Sequence, residues 1–290
     1  MTETTIAAVG ELKEYIMEIT YIYHSCFLVR TERWSMLFDY FTDPSAADPA
    51  LPEQLFASIP KERPFYIVIS HHHKDHYTPK VFAWHERHPD VRYIISKEVA
   101  RFARHHIHPD SRFKGIKADP DRVFVLKAGE TYRDSMLRID AFGSTDCGCS
   151  WLVTPLDMEG KEAGKEKTLF HAGDLNAWIW IEESTKKEVE AAMRDFNAIL
   201  DTIGEKTDRI GYCMFPVDSR IGTHWYMGAE TIVRRFRVDH FFPMHFTLAD
   251  SEEGLRKRME DACRFDLYAN PSYGEYIALT TPYTGYRDAH

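Results

Sequence analysis

The stretch Tyr66-Ile67-Val68-Ile69-Ser70-His71-His72-His73-Lys74-Asp75-His76-Tyr77 joins an apolar run to a dense group of polar side chains. Its polar part has the spacing His-x-His-x-Asp-His, which places four candidate metal ligands close together: His71, His73, Asp75 and His76. Imidazole and carboxylate groups are the ligands that Zn²⁺, Mn²⁺ and Fe use at hydrolytic sites. The stretch therefore predicts a metal site.

Neither an expression tag nor a solvent-exposed cluster accounts for these histidines as well as a metal site does. A tag would be a longer, uninterrupted run at a terminus, whereas these histidines follow an apolar run that predicts a buried strand. A solvent-exposed histidine cluster would be tolerated in a loop. However, an Asp between His73 and His76, directly after a buried strand, favours metal binding.

The position of the stretch relative to a sheet supports a metal site. If residues 66–70 form a strand, the chain leaves the sheet at its carboxyl end, where ligands usually bind in layered α/β proteins. His71 and His73 would then point the same way, because alternate residues of an extended chain share a face. Thr78 as N-cap and Pro79 as first helical residue predict a helix over 79–88, whose N-terminal dipole would favour an anion or hydroxide.

The remaining pattern predicts an α/β protein in which strands and helices alternate. Two loosely similar halves suggest a four-layer αββα sandwich, in which two mixed β-sheets pack together and helices cover their outer faces. No low-complexity linker or repeat divides the chain, so we expect one domain over residues 1–290. The predicted strands are 16–23, 26–29, 35–38, 66–70, 93–95, 122–126, 136–142, 150–154, 168–170, 209–215, 241–243 and 276–280, and the predicted helices are 79–88, 97–106, 185–203, 227–236 and 252–263.

Composition narrows the class of protein. The chain has 290 residues, 44% of them hydrophobic, with neither a signal peptide nor a long apolar run, so we expect no membrane association and a cytoplasmic location. A formal net charge of −9 disfavours nucleic acid as a partner. The five cysteines are dispersed along the chain, which favours free thiols in a reducing compartment: Cys26, Cys147, Cys149, Cys213 and Cys263. The Cys-x-Cys pair formed by Cys147 and Cys149 is only a weak signal of a metal or redox function.

Two more predicted strands end in ligand-type residues. Phe170-His171-Ala172-Gly173-Asp174 places Asp174 just past a strand, and Phe241-Phe242-Pro243-Met244-His245 ends in a histidine. Taken alone, Asp174 would be interpreted as a turn residue and His245 as a loop histidine.

Together, the three strand ends resemble the metallo-β-lactamase superfamily over most of the chain, from about residue 24 to 246. Tyr23-His24-Ser25-Cys26-Phe27-Leu28-Val29 and Leu37-Phe38-Asp39 also look like its small-molecule hydrolase branch. The resemblance implies the αββα fold and two divalent metal ions, zinc foremost, with Mn or Fe as alternatives. It implies that His71 and His73 hold the first metal, that Asp75, His76 and His245 hold the second, and that Asp174 bridges the two.

One segment departs from the superfamily pattern. The usual third ligand of the first metal is a histidine after a strand, and the corresponding stretch here is Phe142-Gly143-Ser144-Thr145-Asp146-Cys147-Gly148-Cys149-Ser150. Ser144 stands at the expected place, and Asp146 is the nearest strong ligand. Three arrangements stay open: Asp146 as ligand, water in its place, or a weak first site with only the second filled. An oxygen ligand would tilt selectivity toward Mn²⁺ or Fe²⁺.

The resemblance implies a metal-dependent hydrolase in which a metal-bound hydroxide cleaves an ester, lactone, amide or phosphodiester bond in a small molecule. The two cations would suit an anionic or polarisable substrate. Asp75 is the candidate catalytic residue, taking up a proton.

Other side chains are candidates for contacts with the substrate. Trp178 and Trp180 could line the substrate pocket, and Arg220 could bind an anionic group. The alternatives are a nuclease or phosphodiesterase of the same fold, a redox enzyme with flavin or di-iron, and a non-catalytic metal-binding or sensing module. Neither the substrate nor the oligomeric state follows from the sequence.

Overall fold

The computed structural model of the protein describes residues 16–41, 51–246, 273–276 and 285–289. The predicted loop at 43–49, the predicted helix at 252–263 and Cys263 lie outside these residues. Within the described ranges, no helix combines the length and apolar character needed to cross a membrane. The domain assignment over residues 1–290 stays a prediction.

The described chain contains fourteen strands and five α-helices. The strands are β1 (Ile16–Tyr23), β2 (Cys26–Thr31), β3 (Ser35–Phe38), β4 (Phe65–Ile69), β5 (Val91–Ser96), β6 (Val123–Leu126), β7 (Thr131–Arg133), β8 (Leu137–Phe142), β9 (Ser150–Pro155), β10 (Leu169–His171), β11 (Arg209–Pro216), β12 (Arg237–Met244), β13 (Tyr273–Tyr276) and β14 (Gly285–Ala289). The helices are α1 (Leu51–Ala57), α2 (Lys97–Phe102), α3 (Arg104–Ile107), α4 (Lys186–Gly204) and α5 (Met227–Arg235).

The strands form two seven-stranded sheets with matching plans. The first has the order β14-β1-β2-β3-β4-β5-β6 and the second the order β13-β12-β11-β10-β9-β8-β7. In each sheet one half is antiparallel and the other parallel, with the change at β3 in the first sheet and at β10 in the second. The prediction of two mixed sheets is therefore confirmed.

The alternation of side chains along each strand produces the layers. In β3, Met36 and Phe38 pack toward the second sheet, whereas Leu37 packs toward the helices outside the first sheet. Strand β4 is buried at every position because both of its faces are covered, which explains its unbroken apolar run. Helices α4 and α5 cover the second sheet with residues such as Leu200 and Ile232. The four-layer αββα arrangement is confirmed.

A polar contact fastens the two sheets at one edge. Asp134, which follows β7, accepts hydrogen bonds from the hydroxyl of Tyr66 in β4 at 2.6 Å and from that of Tyr132 at 2.9 Å. The Arg92 guanidinium of β5 also donates to it. Burial would raise the pKa of Asp134, but these donors and two backbone N–H groups outweigh it and lower the pKa below its ordinary value.

The segment after the histidine cluster differs from the predicted helix. Pro79–Glu86 forms a 3₁₀ helix with Thr78 as N-cap. The Tyr93 hydroxyl donates to the Val81 carbonyl at 2.9 Å and accepts from the His85 N–H at 3.2 Å, so it is inserted between the two groups that an α-helix would pair. The α-helix whose N-terminal dipole was predicted to favour an anion is therefore replaced by a 3₁₀ helix at this position.

Other departures are smaller. The predicted helix at 97–106 is divided into α2 and α3, and neither strand β7 nor helix α1 was predicted. Of the predicted strand at 276–280, only residue 276 lies within the described residues, and it ends strand β13 (Tyr273–Tyr276). The predicted capping box of α4 is confirmed, since the Glu188 carboxylate accepts from the Thr185 N–H at 2.7 Å.

Candidate metal centre

Five chain segments meet at one end of the sandwich, and one of them is the loop between β8 and β9 that carries Asp146 and Cys147. The His71 to His76 segment follows β4, Asp174 follows β10, and His245 follows β12. His24 joins them from the turn between β1 and β2. This edge is where ligands collect in layered α/β proteins.

Asp174 lies at the middle of the cluster, and its two carboxylate oxygens face different neighbours. Oδ2 lies 3.3 Å from His71 Nε2, whereas Oδ1 lies 3.1 Å from His76 Nε2 and 3.4 Å from His245 Nε2. Burial would raise the pKa of Asp174, but the surrounding histidines hold it well below its ordinary value. Asp174 is therefore a carboxylate placed between two groups of side chains.

One of these groups consists of His24, Asp75, His76 and His245, whose donor atoms all lie within 4.8 Å of one another. Three of its members are the residues predicted to hold the second metal. The fourth, His24, has its Nε2 atom 3.3 Å from Asp75 Oδ2. The sequence patterns do not assign His24 as a ligand, because its place in the cluster depends on the turn after β1, where the His24 carbonyl accepts from the His245 N–H at 3.2 Å.

The other group consists of His71, His73, Asp146 and Cys147, again with donor atoms within 4.8 Å of one another. His73 Nδ1 lies 3.1 Å from His71 Nε2 and 3.6 Å from Asp146 Oδ2. Asp146, predicted as the substitute for the missing histidine, is thus beside the expected first-metal ligands. Cys147 was not predicted as a ligand, and its only sequence signal was the Cys-x-Cys pair.

Ser144 stands at the place expected for the missing histidine but belongs to neither group. Its hydroxyl accepts a hydrogen bond from the Asp146 N–H at 3.3 Å, so it shapes the loop. The ligand roles of the predicted residues stay predictions, because a grouping of side chains is not a bound ion.

Buried atoms without hydrogen-bond partners test whether this site fits a cation. Among the described residues, His24 Nε2, His76 Nε2 and Asp174 Oδ1 are buried side-chain atoms that make no aligned hydrogen bond, although His76 Nε2 and Asp174 Oδ1 lie 3.1 Å apart. A buried polar atom left unpaired costs about 1–3 kcal/mol, so such atoms rarely gather at one point without a function. All three belong to the same cluster and are metal-ligand types. The residues therefore fit a divalent cation.

Backbone strain is concentrated at the same place. Three non-glycine residues of the described chain have positive φ: His24 at 55°, Asp39 at 41° and His245 at 61°. Such conformations cost on the order of 1–3 kcal/mol each and gather at functional sites. His24 and His245 belong to the group that contains Asp75 and His76, and Asp39 supports that group.

Asp39 fixes the orientation of His76 from behind. The carboxylate is fully buried, and it accepts hydrogen bonds from the Ser70 N–H at 2.7 Å and from His76 Nδ1 at 2.8 Å. With Nδ1 engaged, His76 directs Nε2 toward Asp174. Burial would raise the pKa of Asp39, but the hydrogen bond from His76 and nearby histidines lower it. A carboxylate behind a ligand histidine is the usual support of protein metal sites.

Asp218 supports His245 in the same way. Its Oδ2 lies 3.0 Å from His245 Nδ1, and the Arg220 side chain holds the carboxylate through Nε at 2.9 Å. Burial opposes ionisation, but the contacts with His245 and Arg220 keep the pKa of Asp218 below its ordinary range. Arg220, predicted to bind an anionic substrate group, is thus first a partner of Asp218, although over half of its side chain is exposed. Its predicted substrate contact stays a prediction.

Aromatic side chains lie on the open side of the centre. The Trp178 indole donates to the Asp174 carbonyl at 2.9 Å, and its ring lies 5.5 Å from that of His245. Trp180, Arg220 and Trp225 line a depression of about 510 Å³. A larger depression of about 830 Å³ runs along Arg104 to Phe113, but its lining residues belong to neither ligand group.

Known proteins share this fold. A family model described as "Beta-lactamase superfamily domain" matches residues 18–179. No curated protein matches the chain. One similar solved structure is Igni18, a metallo hydrolase from Ignicoccus hospitalis, with 14% sequence identity, a TM-score of 0.57 and a match that covers 94% of this chain and 98% of that chain. A second is the metallo-beta-lactamase fold protein YhfI from Bacillus subtilis, with 13% identity, a TM-score of 0.55 and coverage of 94% of this chain and 100% of that chain. A third is CmlA, a diiron beta-hydroxylase from Streptomyces venezuelae, with 14% identity, a TM-score of 0.54 and coverage of 96% of this chain and 54% of that chain.

Proposed function

This chain belongs to the beta-lactamase superfamily, and from that membership and the geometry of its histidine and aspartate cluster we propose that it is a metal-dependent hydrolase of a small molecule. The bond cleaved is an ester, lactone, amide or phosphodiester. One observation carries the proposal above all others. The two oxygens of buried Asp174 face two separate groups of ligand-type side chains, as a bridging carboxylate must.

The proposed ligands are divided between two cations. His71, His73 and the segment at Asp146 would hold the first, while Asp75, His76 and His245 would hold the second. Asp174 would contribute to both. When bound, two divalent cations lower the pKa of water and polarise the substrate oxygen that gains charge.

The chain's own side chains supply the remaining chemistry. The Asp75 side chain is 44% exposed, so one face of its carboxylate can reach a substrate while the other contacts His24. It is therefore proposed to take up a proton during turnover. The hydrogen bonds to Asp39 and Asp218 keep His76 and His245 in fixed orientations, so that little rearrangement is needed when a substrate binds.

The surroundings of the centre support a small substrate. The depression at Trp180 and Trp225 begins at Arg220, whose Nη2 atom lies 3.5 Å from His245 Nδ1. Its volume of about 510 Å³ lies within the usual range for small-molecule pockets. The lining also contains Glu182 and Glu183, so the Arg220 guanidinium, itself paired with Asp218, is the one group among its described residues that would bind an anionic part of such a molecule. Nucleic acid is disfavoured by the formal net charge of −9.

The test is hydrolysis by protein loaded separately with zinc, manganese or iron, assayed against ester, lactone, amide and cyclic phosphodiester panels. Iron is included because CmlA, one of the similar folds, is a diiron beta-hydroxylase. Activity should vanish in His73→Ala and persist in the matched variant His105→Ala, since His105 lies in α3, outside both ligand groups. Metal binding without hydrolysis in any panel would favour the non-catalytic module and contradict the proposal. Equal activity in both variants would also contradict it.

A further inference from the structure

The loop that carries the substituted ligand is clamped against the end of β4. The Cys149 N–H donates to the Ser70 carbonyl at 3.1 Å. Gly148 has φ of +72°, and a Cβ added there would lie 2.0 Å from the Ser70 carbonyl oxygen and 2.6 Å from the His71 Cβ. Only glycine allows this approach. The residue directly before it, Cys147, is thereby brought beside His73.

The Cys147 sulfur lies among the side chains predicted to hold the first metal. Sγ is 3.8 Å from His73 Nε2 and 3.8 Å from Asp146 Oδ2. With Zn–N near 2.0–2.1 Å and Zn–S near 2.3 Å, neighbouring ligand atoms of a tetrahedral zinc are separated by about 3.3–3.6 Å. One ligand atom from each of His71, His73, Asp146 and Cys147 lies within 4.8 Å of the other three, so a cation would have to draw these atoms closer together.

A second observation beside this cluster indicates a cation. His71 Nε2 lies 3.3 Å from the Oδ2 atom of Asp174, a carboxylate whose other oxygen is buried without a hydrogen-bond partner. Asp174 is only 5% exposed. His71 therefore joins the cysteine's cluster to a buried, ionised carboxylate that lies between the two ligand groups.

We propose that Cys147 is a ligand of the first metal, so that its thiolate, with His71 and His73, binds a soft divalent cation such as Zn²⁺, Co²⁺ or Cd²⁺. On binding, the S–H bond breaks, a sulfur–metal bond forms and the proton leaves to the buffer. Asp146, whose side chain is 44% exposed, completes or flanks the site. A thiolate selects zinc over manganese, the opposite of the selectivity expected from an oxygen ligand alone.

The inference rests on the proposed metal centre, and cobalt substitution tests it apart from activity. Metal-free full-length protein is titrated with Co²⁺ while the near-ultraviolet sulfur-to-cobalt charge-transfer band is followed. The band should appear in the wild type and in the matched control Cys149→Ser, whose thiol is buried in the core outside both ligand groups. It should be absent in Cys147→Ser. Absence from the wild type, or persistence in Cys147→Ser, would overturn the inference.

Equilibrium binding adds a quantitative readout. Zinc affinity of the first site should fall at least about tenfold in Cys147→Ser, because changes to even the supporting residues of a metal site cost 10–100-fold. The ratio of cadmium to manganese affinity should fall with it. Zinc binding and hydrolysis that are both unchanged in Cys147→Ser would refute this inference and leave the hydrolase standing. Failure of the wild type to bind any metal would refute both.

Alkylation of the wild-type protein tests the proposed sulfur–metal bond without depending on whether a variant folds. Iodoacetamide labelling followed by peptide mapping should show that zinc slows modification of Cys147, which is only partly buried in the structure. Equal labelling rates of Cys147 with and without zinc would contradict the proposed sulfur–metal bond.

Discussion

The Nδ1 atom of His76 lies 2.8 Å from the Oδ2 atom of Asp39, and this contact turns the Nε2 atom of His76 toward Asp174. Asp39 touches no proposed substrate position and acts by positioning a ligand. The buried carboxylate also fastens the end of β4, since it accepts from both the N–H and the hydroxyl of Ser70.

Asp39→Asn should weaken metal binding at the second site by about 10–100-fold, the usual effect of removing the carboxylate behind a ligand histidine. Competition with a chelating dye measures the affinity. The matched control is Asp140→Asn, which changes another buried aspartate, paired with Arg138 and Thr131 in the second sheet. Equal losses of affinity in the two variants would mean that Asp39 acts only through stability.

Gly148→Ala should lower the free energy of unfolding by more than the cost of placing an alanine at a positive φ. A left-handed residue other than glycine costs about 1–2 kcal/mol, and here the added Cβ also collides with the Ser70 carbonyl. Gly129→Ala is the control, because Gly129 has φ of +86° but open space around its Cβ position. Urea unfolding should show a larger loss for Gly148→Ala. Equal losses would mean that the loop is not clamped against β4.

Asp134→Asn should lower the free energy of unfolding at neutral pH by about 1.5–3 kcal/mol, the contribution of a hydrogen-bonded charged group. Because the pKa of Asp134 is lowered in the folded state, its carboxylate stabilises the fold above its unfolded pKa of about 3.9. That contribution is lost as the pH falls through the folded pKa. Urea unfolding at pH 7 and pH 3 should therefore give a difference between variant and wild type that shrinks at pH 3. A difference that grows on acidification would contradict the assignment.

Metal removal should lower the melting temperature. A cation at 100 times its dissociation constant stabilises the folded state by about 2.7 kcal/mol, which for a chain of 290 residues corresponds to roughly 4–5 °C. Calorimetry before and after chelation, and after zinc is restored, measures the effect. A melting temperature that does not respond to chelation of metal-loaded protein would mean that the unpaired atoms at the centre are not filled by a cation.

The sequence predicted the layers and the cluster at the end of β4 because both follow local patterns. An unbroken apolar run requires burial on two faces, and the ligand spacing lies within one short segment. The three-dimensional contacts of Cys147 and His24 could not be predicted, since one depends on the fit of Gly148 against Ser70 and the other on a strained turn. The 3₁₀ helix after the cluster likewise depends on Tyr93, a residue of the next strand.

The measurement that tests the central claim most directly is metal content together with hydrolysis for Asp174→Asn and wild type. If Asp174 bridges two cations, the wild type should bind two metal ions per chain. Asp174→Asn should then bind fewer and lose hydrolytic activity at least about a hundredfold, while its circular dichroism stays native. Two ions per chain and undiminished hydrolysis in a folded Asp174→Asn protein would contradict the account.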